Sequence, residues 1–414
     1  MPPAANDASP ATSVGRIVAP ATGRFTSPPL PCRVPAATAS DVLPEPLPMY
    51  SAAGEPDAWH NVTAPGGYEW WYFDAESTDG RTRIVAILLE GFVFHPGYLR
   101  AYKRYLKRPT KVAPPTAGQF PCAYLCVYRD GKIAHQFMAQ YRPDQFRASA
   151  DVPDVEIGSN TMTRDGGGDY RLSLAGHPWQ VTARGPQTDR DRQLTANLTF
   201  SPSFGHKPLQ KPFLSREMTG ADHRWVLAAP HCRVSGTVDP GNGEPIQFDG
   251  LGYHDHNYGT APLGPGLKRW VWGRVLREDS VIGFHVAEPK TRRLPPEPHL
   301  FRVDRDGVHE LPAEEVAIDW RARSWNGLPH PWRLRFDWGL RLSAPKPIDV
   351  APFYSRVVYR ATVDLEPATA FCEIAHPHRL RWPVLGRMIE MSIDKSALSA
   401  TPTSPASPSS THRG

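Results

Sequence analysis

Apolar and polar positions alternate with a period of two along much of the chain, as in Arg333-Leu334-Arg335-Phe336-Asp337-Trp338, and the alternating runs are short. They predict strands over 81–94, 123–129, 170–175, 193–201, 232–238, 270–276, 281–287, 300–303, 332–344 and 355–365. Asp130-Gly131, Asp165-Gly166-Gly167-Gly168 and Asp306-Gly307 stand between such runs as turns. The pattern is that of an all-β protein, with antiparallel hairpins closing into barrels or sandwiches.

Composition divides this picture. Of the 46 prolines and 33 glycines, many gather at the ends and in loops, which argues against a mainly helical chain. Residues 1–58 and 399–414 are rich in Pro, Ala, Ser and Thr without hydrophobic periodicity and read as disordered tails. Between them, the Pro-rich run 201–212 and an irregular stretch after it suggest a division near residue 235. Two β-domains result, 59–235 and 236–398. A loose echo links them: Trp70-Trp71-Tyr72 opens the first and Trp270-Val271-Trp272 lies early in the second.

Charge and cysteines exclude several classes. The net charge of +5 comes from 47 basic and 42 acidic side chains that are interspersed, so nucleic-acid binding is not indicated. Five scattered cysteines, Cys32, Cys122, Cys126, Cys232 and Cys372, form neither a disulfide framework nor a paired zinc motif, which favours a reducing compartment. The start of the chain lacks the basic and apolar regions of a secretory signal. The longest greasy stretch, 84–94, contains Glu90 and Gly91 and is too short to span a bilayer. In the segment 98–108, basic residues alternate with aromatic and aliphatic ones. It reads as a solvated helix or loop face, with peripheral membrane contact as the alternative.

The densest chemistry is Gly252-Tyr253-His254-Asp255-His256-Asn257-Tyr258-Gly259, followed by Trp270-Val271-Trp272-Gly273. If the first run is extended, Tyr253, Asp255 and Asn257 share one face and His254, His256 and Tyr258 the other. Three readings follow. In one, these groups transfer protons and position water, while Trp270, Trp272 and Tyr258 line an apolar pocket. In another, His254 and His256 bind zinc, with His285 or His231 as a third ligand. In the third, the cluster is hydrogen-bonded barrel closure and the indoles are core. Of the adjacent Trp70 and Trp71 one is expected in the core, and Glu69 and Asp74, which bracket them, read more readily as solvated strand-edge residues than as a pocket mouth. No Gly-rich phosphate loop, nucleophile elbow or Cys/His pair is evident.

Gly67-Tyr68-Glu69-Trp70-Trp71-Tyr72, the His-Asp-His-Asn run and Trp270-Val271-Trp272-Gly273 together resemble the hydroxyneurosporene synthase family, the acyclic carotenoid 1,2-hydratases, and their lipocalin-like relatives, over about residues 60–395. The resemblance implies two tandem lipocalin-like antiparallel β-barrel domains and no cofactor or metal. It implies addition of water to the terminal C1=C2 bond of a long apolar isoprenoid, a lycopene- or neurosporene-like carotenoid, in the cytoplasm or at the periphery of an inner, photosynthetic membrane. Such a hydration protonates C2 and creates a tertiary cation at C1, so the site must supply an acid and shelter a cation. Asp255 is the expected acid, with His254, His256, Tyr258 and His285 as further catalytic groups. Trp270, Trp272, Tyr253, Asn257, Trp70, Trp71 and Phe284 are the expected substrate-lining residues. Two departures stand out: Tyr258 replaces an expected Trp, and Gly283-Phe284-His285 replaces an expected Tyr and Asp. At the second, an imidazolium would have to serve as acid. A cofactor-free isomerase or cyclase of the same fold, and a non-catalytic carrier of an apolar ligand, are the alternatives.

Overall fold

The alternation is realised as strands. The structure, a computed structural model, describes residues 54–399 apart from 183, 184, 206 and 265. The expected disordered tails therefore lie mostly outside the described residues, but not wholly. Residues 54–58 are described, and Asp57 and Ala58 are fully buried, so the segment just before residue 59 is core, not tail.

Contacts divide the chain into two units, 54–264 with 379–399, and 266–378. In the first run β1 (Tyr68–Ser77), β2 (Thr82–Leu89), β3 (Cys122–Arg129), β4 (Lys132–Gln140), β5 (Phe146–Ala148), β6 (Asp154–Ile157) and β7 (Asn160–Arg164). They are followed by β8 (Tyr170–Gly176), β9 (Trp179–Thr182), β10 (Gly185–Thr188), β11 (Leu194–Pro202), β12 (Leu209–Leu214), β13 (His223–Asp239) and β14 (Ile246–Gly259). Except for the separate β9–β10 pair, these make one curled antiparallel sheet in the order β4-β3-β2-β1-β14-β13-β11-β8-β7-β6-β5, with β12 added on β13. Helices α1 (Pro96–Lys107), α2 (Arg216–Thr219), α3 (Pro383–Met391) and α4 (Ser396–Ser399) belong to the same unit.

In the second unit β15 (Leu267–Leu276), β16 (Val281–Pro289), β17 (Glu297–Asp304), β18 (Gly307–Glu310) and β19 (Val316–Asp319) precede the short pair β20 (Ala322–Arg323) and β21 (Pro329–His330). Then come β22 (Arg333–Phe336), β23 (Arg341–Val350), β24 (Tyr354–Val363) and β25 (Glu366–Ala375), and the sheet order is β18-β17-β16-β15-β25-β24-β23-β22-β19. The two sheets follow one plan: a four-strand meander whose first strand pairs with the last strand of its unit. The Trp70/Trp270 echo marks strands in equivalent places, β1 and β15. Both sheets are lipocalin-like curled half-barrels.

Two local features show how sequence sets these elements. Asp130 and Gly131 adopt φ of 52° and 75°, the double left-handed conformation that lets a two-residue loop join β3 to β4. Strand β13 carries Pro230, and its register shifts between Ala229 and Cys232, where a bulge spares the ladder an N–H that proline lacks. That bulge makes 223–231 look irregular in sequence. Strand β13 runs straight through residue 235 and β14 continues the same sheet, so strand pairing divides the chain after Gly259 rather than near 235.

Each sheet packs one face into an apolar core. In the first unit this core holds Trp71, Phe73, Leu88, Leu125, Phe137, Leu172 and Phe200. In the second it holds Val271, Phe284, Leu300, Leu342, Val357 and Ile374.

Candidate active site

Strand β14 lies between β1 and β13, and its alternation splits the sequence cluster. His254, His256 and Tyr258 stand opposite Phe73, Trp71 and Glu69 of β1, on the core face. The ring of His254 stacks on Phe73 at 3.8 Å and that of His256 on Trp71 at 4.6 Å.

Into this apolar surface the fold brings six ionisable groups: Asp57, His60, Glu69, Glu90, His254 and His256, none more than 4% exposed. The segment before β1 delivers Asp57 and His60. The Trp71 indole holds that segment by donating to the Asp57 backbone carbonyl (3.1 Å). The Asp57 carboxylate then accepts from His254 Nε2 (3.1 Å) and Tyr170 Oη (2.8 Å), and its other oxygen faces His256 Nδ1 at 3.4 Å. On the far side of His256, Nε2 donates to Glu69 Oε1 (2.9 Å), and that oxygen also accepts from the His60 backbone N–H (2.8 Å) and His60 Nδ1 (3.0 Å). His60 stacks on Tyr258 at 3.8 Å. Glu90 follows β2 next to Glu69, its backbone N–H bonded to the Glu69 carbonyl (3.0 Å), and its carboxyl accepts from Trp59 Nε1 (3.0 Å).

The electrostatics follow from these contacts. Burial disfavours every charge here, yet the hydrogen bonds and charges of Asp57 and Glu69 reverse its effect on His256 and raise the imidazole to about 9. Burial likewise pushes Asp57 and Glu69 upward, but the imidazoles overcome it and hold both carboxyls below their ordinary values. Glu90 feels the Trp59 N–H and the His256 charge only as smaller opposing effects. Burial first, then the Glu69 charge, raise it to about 8, so near neutral pH it is a carboxylic acid. The site therefore contains an imidazolium between two carboxylates and, beside them, a neutral carboxyl bonded to the Trp59 indole.

The other face of β14 carries the remaining expected residues. Asp255, the expected acid, accepts hydrogen bonds from Tyr253 Oη (2.8 Å), Trp225 Nε1 (2.8 Å) and Asn257 Nδ2 (2.9 Å), and lies across the sheet from both imidazoles. Three donors around it make it an acceptor and an organiser of that face. Trp70 also points there and stacks on Tyr68 at 4.6 Å, whereas Trp71 is the core member of the pair. Trp270, Trp272, Phe284 and His285 belong to the second unit. His285 pairs with Trp272 across β15 and β16 and is fully buried; burial, and then His299, lower its imidazole well below the ordinary value, so the form favoured there is neutral rather than the imidazolium an acid requires. Phe284, expected to line substrate, lies on the opposite face in the apolar core, 5.5 Å from Phe336.

Asp57, His60, Glu90 and Tyr170 were not foreseen. Glu90 had a readable signal, a lone carboxyl in register with the inward residues Ile84, Ala86 and Leu88. Asp57 had none, since its neighbourhood reads as tail. Glu69, expected to be solvated, is fully buried. For a metal, His60, Glu69 and His256 present ligand atoms within 4.8 Å of one another, a set without His285 or His231. Binding there would require His256 to release the proton that its two carboxylates retain.

Comparison with known proteins agrees with this architecture. The family described as Carotenoid hydratase CrtC matches residues 209–400. A protein of Chlorobaculum tepidum named hydroxyneurosporene dehydrogenase is 30% identical over 315 residues, covering 72% of this chain and 78% of that one. An acyclic carotenoid 1,2-hydratase of Rubrivivax gelatinosus is 27% identical over 321 residues, covering 75% and 68%. Among solved structures, an AttH-type protein of Nitrosomonas europaea superposes with a TM-score of 0.52 at 18% identity, over 82% of this chain and 99% of that one, and so shares its fold. Strand plan, motif and relatives converge: the chain belongs to the carotenoid hydratase CrtC family and is a hydratase-like enzyme of the hydro-lyase kind.

Proposed function

We propose that this enzyme adds water across the terminal C1=C2 bond of an acyclic carotenoid, and that Glu90 supplies the proton. The observation that carries the reading is the buried Glu90 carboxyl, kept protonated to about pH 8 by burial and the Glu69 charge, beside Glu69 on the inward face of the first sheet and bonded to the Trp59 indole. Protonation of an unactivated alkene needs a neutral acid in an apolar setting, because a solvated carboxyl has already lost its proton at neutral pH. As the Glu90 proton moves to C2, the tertiary cation at C1 gains stabilisation from ring faces such as Trp71 and Tyr258.

Water then attacks C1. Its surplus proton passes to Glu69, whose Oε2 has no hydrogen-bond partner among the described residues. From there it returns to Glu90, so the site ends as it began and no electron is transferred. His256 remains protonated and holds Glu69 ionised until that step. The name of the Chlorobaculum relative suggests dehydrogenation instead; the lack of a Gly-rich phosphate loop in the sequence and the neutral acid in the core favour hydration. A substrate of this kind dissolves in bilayers, so the reading includes peripheral membrane contact.

The test is incubation of the protein with lycopene and neurosporene in detergent, followed by mass analysis. A gain of one water per modified end is the expected result. Glu90→Gln, which removes the proton without changing the shape, is expected to lower the rate about 10²–10⁴-fold with the fold unchanged. Products of unchanged mass would instead reveal an isomerase or cyclase, and bound but unaltered pigment a carrier.

A further inference from the structure

We infer that helices α1 and α3 form a docking surface for an anionic lipid bilayer. The two helices are built as one platform. His95 caps α1, its Nδ1 accepting from the backbone N–H of Gly97 (3.0 Å) and Tyr98 (3.3 Å), while Tyr98 is buried beneath. The chain after α3 is tied to the barrel, where Asp394 exchanges backbone hydrogen bonds with Met138 (2.7 Å) and Gln140 (2.8 Å). Arg100 of α1 reaches Glu390 of α3 at 3.2 Å, and Lys395 meets the same carboxylate at 2.9 Å.

What this platform presents outward runs against the usual rule for a surface helix, polar out and apolar in. Helix α3 turns Val384, Met388 and Met391 outward at 61%, 45% and 53% exposure, one stripe at three- and four-residue spacing, with Trp382 beside it at 43%. Its inward side holds Ile389. The same helix is therefore apolar on two sides, and α1 carries an exposed apolar residue of its own, Leu106, at 58%. The charge on the two helices is mostly of one sign. Arg100, Lys103, Arg104, Lys107, Arg108 and Lys111 fall within 96–111, a stretch with no acidic residue. Arg379, Arg381 and Arg387 surround α3, whose one carboxylate, Glu390, is already paired. Trp382 lies under two of these cations, Arg379 and Arg381, at 5.4 and 5.8 Å.

Exposed aliphatic, thioether and indole side chains with Lys and Arg beside them on the same two helices match the boundary between anionic headgroups and acyl chains. The complementarity selects a membrane over a second copy of this chain, since two such faces would bring like charges together. The inference deepens the carotenoid reading, because a surface that holds the enzyme on a bilayer places it at the source of an apolar polyene.

The experiment is vesicle flotation of the full chain, without substrate, on phosphatidylcholine vesicles with and without phosphatidylserine. It is therefore read independently of any hydration. The wild type is expected to float with the phosphatidylserine vesicles and to be released by salt. Lys103→Glu with Arg104→Glu and Lys107→Glu should weaken that binding by about a hundredfold, at about fivefold or more per cation. Val384→Glu with Met388→Glu should abolish it. All five positions are exposed, and unchanged thermal melts verify folding. Failure of the wild type to float, or binding that neither set of substitutions alters, would overturn the proposal. So would dimerisation in sedimentation velocity that the apolar pair of substitutions abolishes, since the face would then be a self-association surface.

Discussion

Strands β1 and β14 of the first sheet occupy the same topological place as β15 and β25 of the second, and their core faces could hardly differ more. Opposite each other on β15 and β25 stand Val271 with Ile374 and Gly273 with Cys372, an ordinary apolar interior. On β1 and β14 the corresponding cross-strand pairs are Trp71 with His256 and Phe73 with His254, with Asp57 and Glu69 bonded to the imidazoles. The second sheet demonstrates that the plan packs its core face without charges, its buried Arg274 and Arg356 lying on the other face. Charges in the first are thus not a requirement of the architecture, and their retention at a desolvation cost of several kcal/mol per ion points to chemistry.

The same contrast separates two single residues. His256 and His285 are both wholly buried on sheet strands, and their imidazoles are displaced in opposite directions, one up to about 9 and the other well below the ordinary value. Depth alone does not set protonation. The carboxylates brought against His256 do so, and one of them arrives from outside the sheet.

The comparison can be broken most severely at that residue. Asp57→Ala leaves the imidazoles of the first core without their shared carboxylate, and the expected loss of unfolding free energy is about 3–5 kcal/mol in urea titration, the range for a buried pair deprived of one partner. A milder break is Glu69→Gln. His256 then keeps one carboxylate, so its NMR titration should midpoint below 9, while His285 stays unprotonated in both proteins at neutral pH. The stability profile follows in sign. The His256 contribution is complete below its ordinary value of 6.5 and disappears as pH rises through about 9; that of Glu90, favoured as the neutral acid, declines from 4.5 through about 8. The Asp57 and Glu69 contributions are present above 3.8 and 4.5 and are lost as pH falls through their lowered values. The wild type should therefore weaken steadily from pH 6.5 to 9, and Glu69→Gln should flatten that decline. The smallest effect belongs to the apolar counterpart: Ile374→Val in the second core should cost about 0.5–1.5 kcal/mol, equally at every pH.

Alternation made the fold largely readable, because an inward apolar residue at every second position is what a curled antiparallel sheet demands. It also separated His254 and His256 from Asp255 correctly. The same period of two fixes the faces of two further residues. Phe284 next to His285 had to face the opposite side, and Glu90 had to face inward with Leu88. Pro230 concealed the first half of β13 by placing a bulge in a central strand, which shifted the apparent division of the chain. Asp57 was illegible for a different reason: its partners His254 and Tyr170 lie 197 and 113 positions away, and no local pattern encodes a contact that only the closed barrel creates.

The seating of Asp57 and His60 against β1 and β14 bears on how this protein is best produced. A Pro-rich leader invites trimming, and a chain begun at Gly67 would retain every strand of both sheets together with the whole His-Asp-His-Asn run. It would nonetheless lack both groups that the leader contributes to the ionic core, along with the main-chain carbonyl that Trp71 grips. Such a shortened protein could pass for folded by its strand content while its buried imidazoles had lost their partner, so any cut must leave Asp57 and His60 in place.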